Sequence, residues 1–269
     1  MDNMVVINNL DFKYNSHVVF NNLCLSIKKS SFTTVLGNNG AGKSSLLKLI
    51  LGFNKGNGTI LVDNKLLNDK NIFNIRKNIG VVFENPDNCL ISETVLDDLA
   101  FPLLNLNYSR EYIYSRINEV SKYLGISHLL DCDPHSLSGG EKQLVCLGCC
   151  LMTAPKLIIL DEAFSMIDDL HKLKILKFLK NLNRKYGVTI INITHDIEES
   201  VYGDNIAIID SGKVVINDKK DIIYKNEKLL KSIGFDLPFM VDLSNRLSYY
   251  GLVEKTIYDM EEMVDLLWK

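Results

Sequence analysis

A glycine-rich segment near the N-terminus, GNNGAGKSS, has the residue types and the spacing of a phosphate-binding loop. Its glycines allow positive φ and close backbone approach, so consecutive N–H groups can point at phosphate oxygens. The lysine can reach the β- and γ-phosphates of a nucleotide such as ATP, and the serine after it can ligate Mg²⁺. We therefore predict that this loop binds ATP and Mg²⁺. Its residues are Gly37, Asn38, Asn39, Gly40, Ala41, Gly42, Lys43, Ser44 and Ser45.

An acidic pair ends the apolar run KLIILDE, which reads as a buried central strand. Asp161 should therefore emerge at the carboxyl edge of a parallel sheet, where open α/β sheets bind their ligands. From there Asp161 can hold Mg²⁺, directly or through water. Glu162 is next in line and can polarise the attacking water as general base. The loop and the acidic pair together predict a nucleotide hydrolase.

The segment LSGGEKQ (137–143) narrows the class of nucleotide hydrolase, because a phosphate-binding loop alone also fits kinases, GTPases and helicases. Here the chain resembles the ATP-binding cassette (ABC) ATPases, and the resemblance covers about residues 4–230. It implies that Ser138, Gly139 and Gly140 bind the γ-phosphate of an ATP held by a partner subunit. A hydroxyl and glycine N–H groups at a helix start suit an anion.

The same resemblance assigns four further residues. Tyr14 would stack on adenine, although a lone surface tyrosine is the alternative. Asp168, in SMID, would lie across the dimer interface, and His195, just past a strand, would contact the γ-phosphate. Glu84 stands where the family has glutamine, and we expect it to take part in catalysis. The expected metal ligands are Ser44, Glu84 and Asp161.

Several residues depart from the family pattern. A glutamate at position 84 adds negative charge beside Asp161, Glu162 and the phosphates, which would either tighten metal binding or slow turnover. Leu144 follows the signature where the family usually has arginine, and Phe164 occupies a position that is usually small or proline. These departures bear on the rate of hydrolysis and leave the predicted nucleotide binding unchanged.

The elements that must position these residues can be predicted from periodicity. Apolar runs alternating with helical patterns indicate a parallel sheet covered on both faces, whereas residues 4–28 and 58–67 alternate like antiparallel strands. The predicted fold is α/β, a P-loop NTPase of ABC type with an antiparallel β subdomain, a helical insertion and a short helical C-terminal appendage. The predicted division is 1–230 for the ATP-binding domain, about 88–150 for its helical subdomain, and 231–269 for a C-terminal helical dimerisation region.

Composition sets the class of partner. The formal net charge is −3, so we expect no nucleic-acid partner. We see no secretion signal and no run of 18 apolar residues, and six scattered cysteines suit a reducing cytoplasm. Cys146, Cys149 and Cys150 share one helical face after the signature. We expect them to pack the helix, because no fourth metal ligand is evident nearby.

One branch of the family is favoured by the segments VFENPDN…ETVLDDLAF and DEAFSMID and by the tail beginning IGFDLPF. These resemble the ATPases of energy-coupling factor (ECF) importers. The resemblance implies a second ATPase subunit, alike or related, a transmembrane coupling protein docked on about residues 84–104, and a membrane component that selects a vitamin or metal ion. It implies a peripheral position at the cytoplasmic face of the membrane. A soluble ATPase of iron–sulfur cofactor assembly and a weakly hydrolytic partner in a heterodimer remain alternatives.

Overall fold

The computed structural model describes residues 2–268, which form two β-sheets covered by helices. The smaller sheet is antiparallel, with the strand order β2-β1-β4-β5. Along β2, buried and exposed positions alternate over the second half, as expected for a strand with one face in water. Its strands are β1 (Asn3–Tyr14), β2 (His17–Lys28), β4 (Asn57–Val62) and β5 (Lys65–Leu66).

The larger sheet has six strands in the order β10-β9-β3-β8-β7-β6, and all neighbours are parallel except the β9–β10 pair. Every residue of β3, β7 and β8 is buried, because helices or the smaller sheet cover both faces. The strands are β3 (Phe32–Leu36), β6 (Ile79–Val82), β7 (Leu157–Asp161), β8 (Thr189–Thr194), β9 (Asn205–Asp210) and β10 (Lys213–Lys219).

Three α-helices lie between β6 and β7 and span residues 95–152, close to the range of about 88–150 predicted for the helical subdomain. The first of them begins at Val95, because Thr94 caps it by accepting a hydrogen bond from the Asp97 N–H. The helices are α1 (Lys43–Ile50), α2 (Ile72–Arg76), α3 (Val95–Leu104), α4 (Arg110–Leu124), α5 (Gly139–Met152), α6 (Asp169–Tyr186), α7 (Lys220–Tyr224), α8 (Glu227–Ser232), α9 (Phe239–Tyr249) and α10 (Met260–Leu267).

The core is layered around the larger sheet. One cluster joins one face of this sheet to α3–α6, and a second joins the opposite face to α1 and the antiparallel sheet. A third cluster packs Phe235 and Val241 of the C-terminal appendage against Ile206 and Ile208 of β9. The appendage therefore packs on the larger sheet at β9, the strand next to the edge strand β10. Within residues 2–268, no helix is both long and apolar enough to cross a bilayer.

Candidate functional site

The predicted site residues gather at one edge of the larger sheet because of its strand order. In the sheet β8 lies between β3 and β7, and all three strands are parallel. Their carboxyl ends therefore meet, and they lead into the glycine-rich loop, into Asp161 and into His195. Residues more than 150 positions apart in sequence thus come to one place.

Two glycines of the loop are required for different reasons. A Cβ on Gly37 would lie 2.6 Å from the Ile209 carbonyl oxygen, so the strand β9 leaves no room for a side chain. Gly40 has a φ of 84°, which a side chain disfavours, and open space surrounds it. The loop is therefore closed against the sheet at Gly37 and open toward solvent at Gly40, where a phosphate can approach.

Lys43 lies at the centre of this arrangement and is 6% exposed. Its Nζ donates to the Gly37 carbonyl oxygen at 2.6 Å and lies 3.2 Å from Glu162 Oε1. Ser44 is exposed and Ser45 half-buried in the first turn of α1, which carries no acidic residue. The positive end of this helix is therefore open to an anion.

Asp161 ends β7 and is 7% exposed. Burial and the charges of Glu162 and Glu84 raise the pKa of its carboxyl to about 6. Its Oδ1 atom is buried and has no hydrogen-bond partner within residues 2–268. An orphaned carboxylate oxygen held near other carboxylates has the chemistry of a cation ligand.

Glu162 is held between two cationic or hydrogen-bonding groups. Oε1 faces Lys43, and Oε2 lies 2.8 Å from Nδ1 of His195. The backbone of Glu162 has a φ of 49°, an uncommon value that turns its side chain back over the strand ends. The structure thus joins Lys43, Glu162 and His195 into one connected group beside Asp161.

Glu84 is exposed, and its charge helps to raise the pKa of the Asp161 carboxyl. Residues 2–268 contain no cluster of three His, Cys, Asp or Glu side chains suited to a metal ion. Mg²⁺ usually binds through one or two carboxylates and keeps waters and phosphate oxygens as its other ligands. Asp161, Glu84 and the hydroxyl of Ser44 make a donor set of that kind.

The signature segment forms the start of α5 as predicted, and its serine is engaged locally. Ser138 is the N-cap, and its hydroxyl donates to Glu141 Oε2 at 2.6 Å. The Ser138 N–H donates to the same oxygen at 2.9 Å, which closes a capping box. A carboxylate of the chain's own therefore occupies the helix start where we predicted that a partner's phosphate binds.

A residue that the sequence interpretation missed ties this helix to the Glu84 segment. Gln143 is 2% exposed, and its side-chain amide donates to the Phe83 carbonyl oxygen at 2.9 Å. Beside it, Lys142 Nζ lies 2.7 Å from Asp87. A glutamine on the buried face of an otherwise apolar helix is the sequence signal that could have indicated this contact.

Two further predicted residues, Tyr14 and Asp168, have hydrogen-bond partners of their own. Tyr14 ends β1, and its hydroxyl accepts a hydrogen bond from the Asn54 side chain at 2.7 Å. Asp168 is the N-cap of α6 and accepts from the His171 N–H at 3.1 Å, while its other oxygen lies 2.6 Å from Nδ1 of His171. The predicted roles of Tyr14 and Asp168 in nucleotide and partner binding stay predictions.

The signature-helix cysteines pack as expected, with one addition. Cys146 and Cys150 belong to the core, and Cys149 packs against it. A fourth cysteine, Cys89, lies beside Cys146, and the hydrogen bond between them lowers the pKa of Cys89 and raises that of Cys146. Burial raises the pKa of Cys150 to about 12. The thiols of Cys146, Cys149 and Cys150, whose pKa values are raised, stay protonated at neutral pH and behave as small apolar groups.

Comparisons with known proteins agree with this geometry. Residues 20–165 match the ABC transporter family model. The chain is 40% identical to the energy-coupling factor transporter ATP-binding protein EcfA1 of Ligilactobacillus salivarius, over 98% of this chain and 95% of that protein. It is 38% identical to EcfA1 of Lactobacillus johnsonii, over 91% of this chain and 89% of that protein.

Solved structures point the same way. The structure of cbiO1 from Clostridium perfringens, described as part of the ABC transporter complex cbiONQ, has a TM-score of 0.79 and 30% identity over 94% of this chain and all of that one. An ATP-binding cassette solved as a post-hydrolysis dimer with ADP and Pi has a TM-score of 0.73 and 30% identity, over 80% of this chain and 98% of that one. These relatives favour the transporter interpretation over cofactor assembly. The chain belongs to the ABC transporter family, among the energy-coupling factor transporter ATP-binding proteins.

Proposed function

We propose that this chain binds ATP with Mg²⁺ and hydrolyses it as one of two ATPase subunits of an energy-coupling factor importer. The observation that carries the proposal is the connected group of Lys43, Glu162 and His195 beside the orphaned oxygen of Asp161. This group places a phosphate-binding cation, a general base and a metal ligand at the ends of three adjacent strands.

The residues have distinct roles in this mechanism. The loop N–H groups and Lys43 bind the β- and γ-phosphates. Nδ1 of His195 lies 2.8 Å from Oε2 of Glu162 and holds this side chain in place. Glu162 then takes a proton from the attacking water. Asp161, Ser44 and Glu84 would hold Mg²⁺, which when bound neutralises charge on the β- and γ-phosphates. Tyr14 stacks on adenine.

A second ATPase subunit completes the site in this proposal. Ser138, Gly139 and Gly140 of one subunit bind the γ-phosphate on the other, and Asp168 lies across the interface. Each ATP then joins two subunits, and hydrolysis removes the charge that holds them together. The subunits part, and this opening and closing moves the membrane partner.

The membrane partners are a transmembrane coupling protein and a component that selects the cargo, a vitamin or a metal ion. Ile91, Phe101 and Leu104 expose large apolar side chains within the predicted docking segment, residues 84–104. This exposure supports docking there. The proposed location is accordingly peripheral, at the cytoplasmic face of the membrane.

The general-base role of Glu162 is tested by Glu162→Gln. Glutamine keeps the shape and the phosphate contacts of its neighbours but removes the base, so ATP hydrolysis should fall by about 100-fold or more. ATP binding should persist and trap a dimer, measured by analytical ultracentrifugation with ATP and Mg²⁺. Asp169→Asn, an exposed change on α6, is the control. A Glu162→Gln chain that hydrolyses ATP normally, or that associates no more strongly with ATP than without it, would contradict the proposal.

A further inference from the structure

A cavity of about 690 Å³ lies at the opposite edge of the larger sheet from the nucleotide site. It is lined where chain segments enter β3, β7 and β8, at Ser30, Lys156 and Val188. The nucleotide residues lie at the other ends of the same strands, so the length of a strand, roughly 17 Å, separates the two places. The cavity is therefore not a part of the nucleotide site.

The inner walls of the cavity are apolar and come from two parts of the fold. Val120 and Tyr123 of α4 face Phe178 and Leu182 of α6, and the rings of Tyr123 and Phe178 lie 6.3 Å apart between centroids. Ile158 of β7 also lines it. This size and composition are typical of sites for small organic ligands, which bury most of their surface against apolar side chains.

The charged lining has an excess of cations. Lys29, Arg116, Lys156 and Lys185 line the cavity together with two acidic side chains, Asp63 and Glu119. Asp63 lies 2.8 Å from Lys29 and 3.8 Å from Lys156, and Glu119 lies 2.5 Å from Arg116.

Two cationic groups in this lining have donors to spare. Within residues 2–268, Lys185 has no acidic partner at salt-bridge distance, and its Nζ lies 5.1 Å from the centroid of the Tyr186 ring. The Nε of Arg116 is buried and lacks a hydrogen-bond partner there, although the guanidinium also donates from Nη2 to the Leu151 carbonyl oxygen at 2.9 Å. The buried Nε is closed off from the cavity, but the two terminal nitrogens of Arg116 each use only one of their two N–H groups, toward Glu119 and toward the Leu151 carbonyl oxygen. A guanidinium with these remaining donors and an ammonium without an acidic partner, both lining an apolar cavity, favour an anionic ligand.

We propose that this cavity is a binding site for a small amphipathic monocarboxylate, with its carboxylate at Lys185 and Arg116 and its apolar body against Tyr123, Phe178 and Leu182. Because the ligand touches α4 and α6, it bridges the helical insertion and the sheet-covering helix. Its binding is independent of the nucleotide, since the two sites lie at opposite edges of the sheet.

Binding is tested with decanoate on the full chain, by isothermal titration calorimetry below its micelle concentration. Decanol and decyltrimethylammonium share the alkyl chain but not the negative charge. Their affinities should be lower than that of decanoate by about 5-fold or more. Lys185→Glu should weaken decanoate binding by about 5- to 10-fold, because it replaces an attraction by a repulsion. Lys174→Glu makes the same change at an exposed position of α6 outside the cavity and should leave the affinity within about 2-fold.

Two further measurements locate the ligand. Saturating ATP and Mg²⁺ should leave decanoate affinity unchanged, and a photoreactive decanoate should label α4 and α6. Equal binding of all three alkyl compounds, equal effects of Lys185→Glu and Lys174→Glu, competition by ATP, or labelling confined to α9 and α10 would each overturn the proposal. A thermal melt of both variants without ligand separates lost binding from lost folding.

Discussion

The buried carboxyl of Asp161 sets the pH range in which the site can hold a cation. Its pKa is raised to about 6, by burial first and then by the charges of Glu162 and Glu84. A protonated carboxyl does not ligate Mg²⁺, so the affinity for Mg²⁺ with ATP should fall about tenfold per pH unit below about 6. The stability of the fold also depends on the protonation of Asp161. The folded chain holds it more tightly than the unfolded chain, so this group lowers stability as the pH rises through about 6.

Glu84→Gln should shift that pH limit. Removing one of the two negative charges that raise the pKa of Asp161 should move the loss of Mg²⁺–ATP affinity to lower pH, with little change in shape. The measurement is a fluorescent-nucleotide titration with Mg²⁺ between pH 5 and 8. Glu93→Gln is the matched control, since Glu93 is exposed nearby and does not act on Asp161. Identical midpoints in the Glu84 variant and the wild type would contradict the argument.

At the scale of elements, the capping box of α5 joins helix stability to the proposed dimer contact. Glu141 accepts from both the N–H and the hydroxyl of Ser138, and these hydrogen bonds lower the pKa of its carboxyl. The carboxylate therefore stays charged at neutral pH beside the helix start. A γ-phosphate from a partner subunit would meet this charge on approach.

Glu141→Gln should therefore tighten the ATP-dependent dimer. Glutamine can keep the capping box, while the repulsion between carboxylate and phosphate is lost, and we expect dimerisation to strengthen by about 3- to 10-fold. The measurement is sedimentation with ATP and Mg²⁺ in the Glu162→Gln background. Glu111→Gln, which removes the same charge from the first turn of α4, should have no effect. Equal dimerisation by the two variants would show that Glu141 does not oppose the partner's phosphate.

Elements that carry a hydrophobic pattern within their own residues could be predicted from the sequence. Elements and contacts that depend on segments distant in sequence could not. β7 was found because a strand buried on both faces is a continuous apolar run, as in LIIL. β10 was not identified, because at a sheet edge its residues are exposed or half-buried and carry no such run. Periodicity also cannot detect contacts between segments far apart in sequence. Two such contacts are the hydrogen bond from Gln143 to Phe83 and the contact between the free thiols of Cys89 and Cys146.

At the scale of the whole molecule, the C-terminal appendage is tied to the nucleotide loop. The Asn38 side chain donates to the Ile233 carbonyl oxygen at 2.9 Å, and Glu198 accepts from the Phe239 N–H at 2.7 Å. Asn38 belongs to the phosphate-binding loop, and Glu198 lies three residues after His195. A subunit contact made through the appendage would therefore lie close to the catalytic end of the sheet without being part of it.

The appendage was predicted to dimerise, and α10 offers a surface for that predicted contact. Met263 is buried in the small cluster with Met240, whereas Met260, Val264 and Leu267 expose one apolar stripe, at 49%, 44% and 37%. We expect Val264→Lys to weaken dimerisation without nucleotide by about 10-fold, because it places a charge in an apolar contact, and to leave the melting temperature nearly unchanged. Asp265→Lys introduces the same side chain at the adjacent exposed position and should dimerise as the wild type does. The measurement is sedimentation of the wild type and the two variants without ATP. Equal association of the Val264 variant and the wild type would exclude this stripe as the interface.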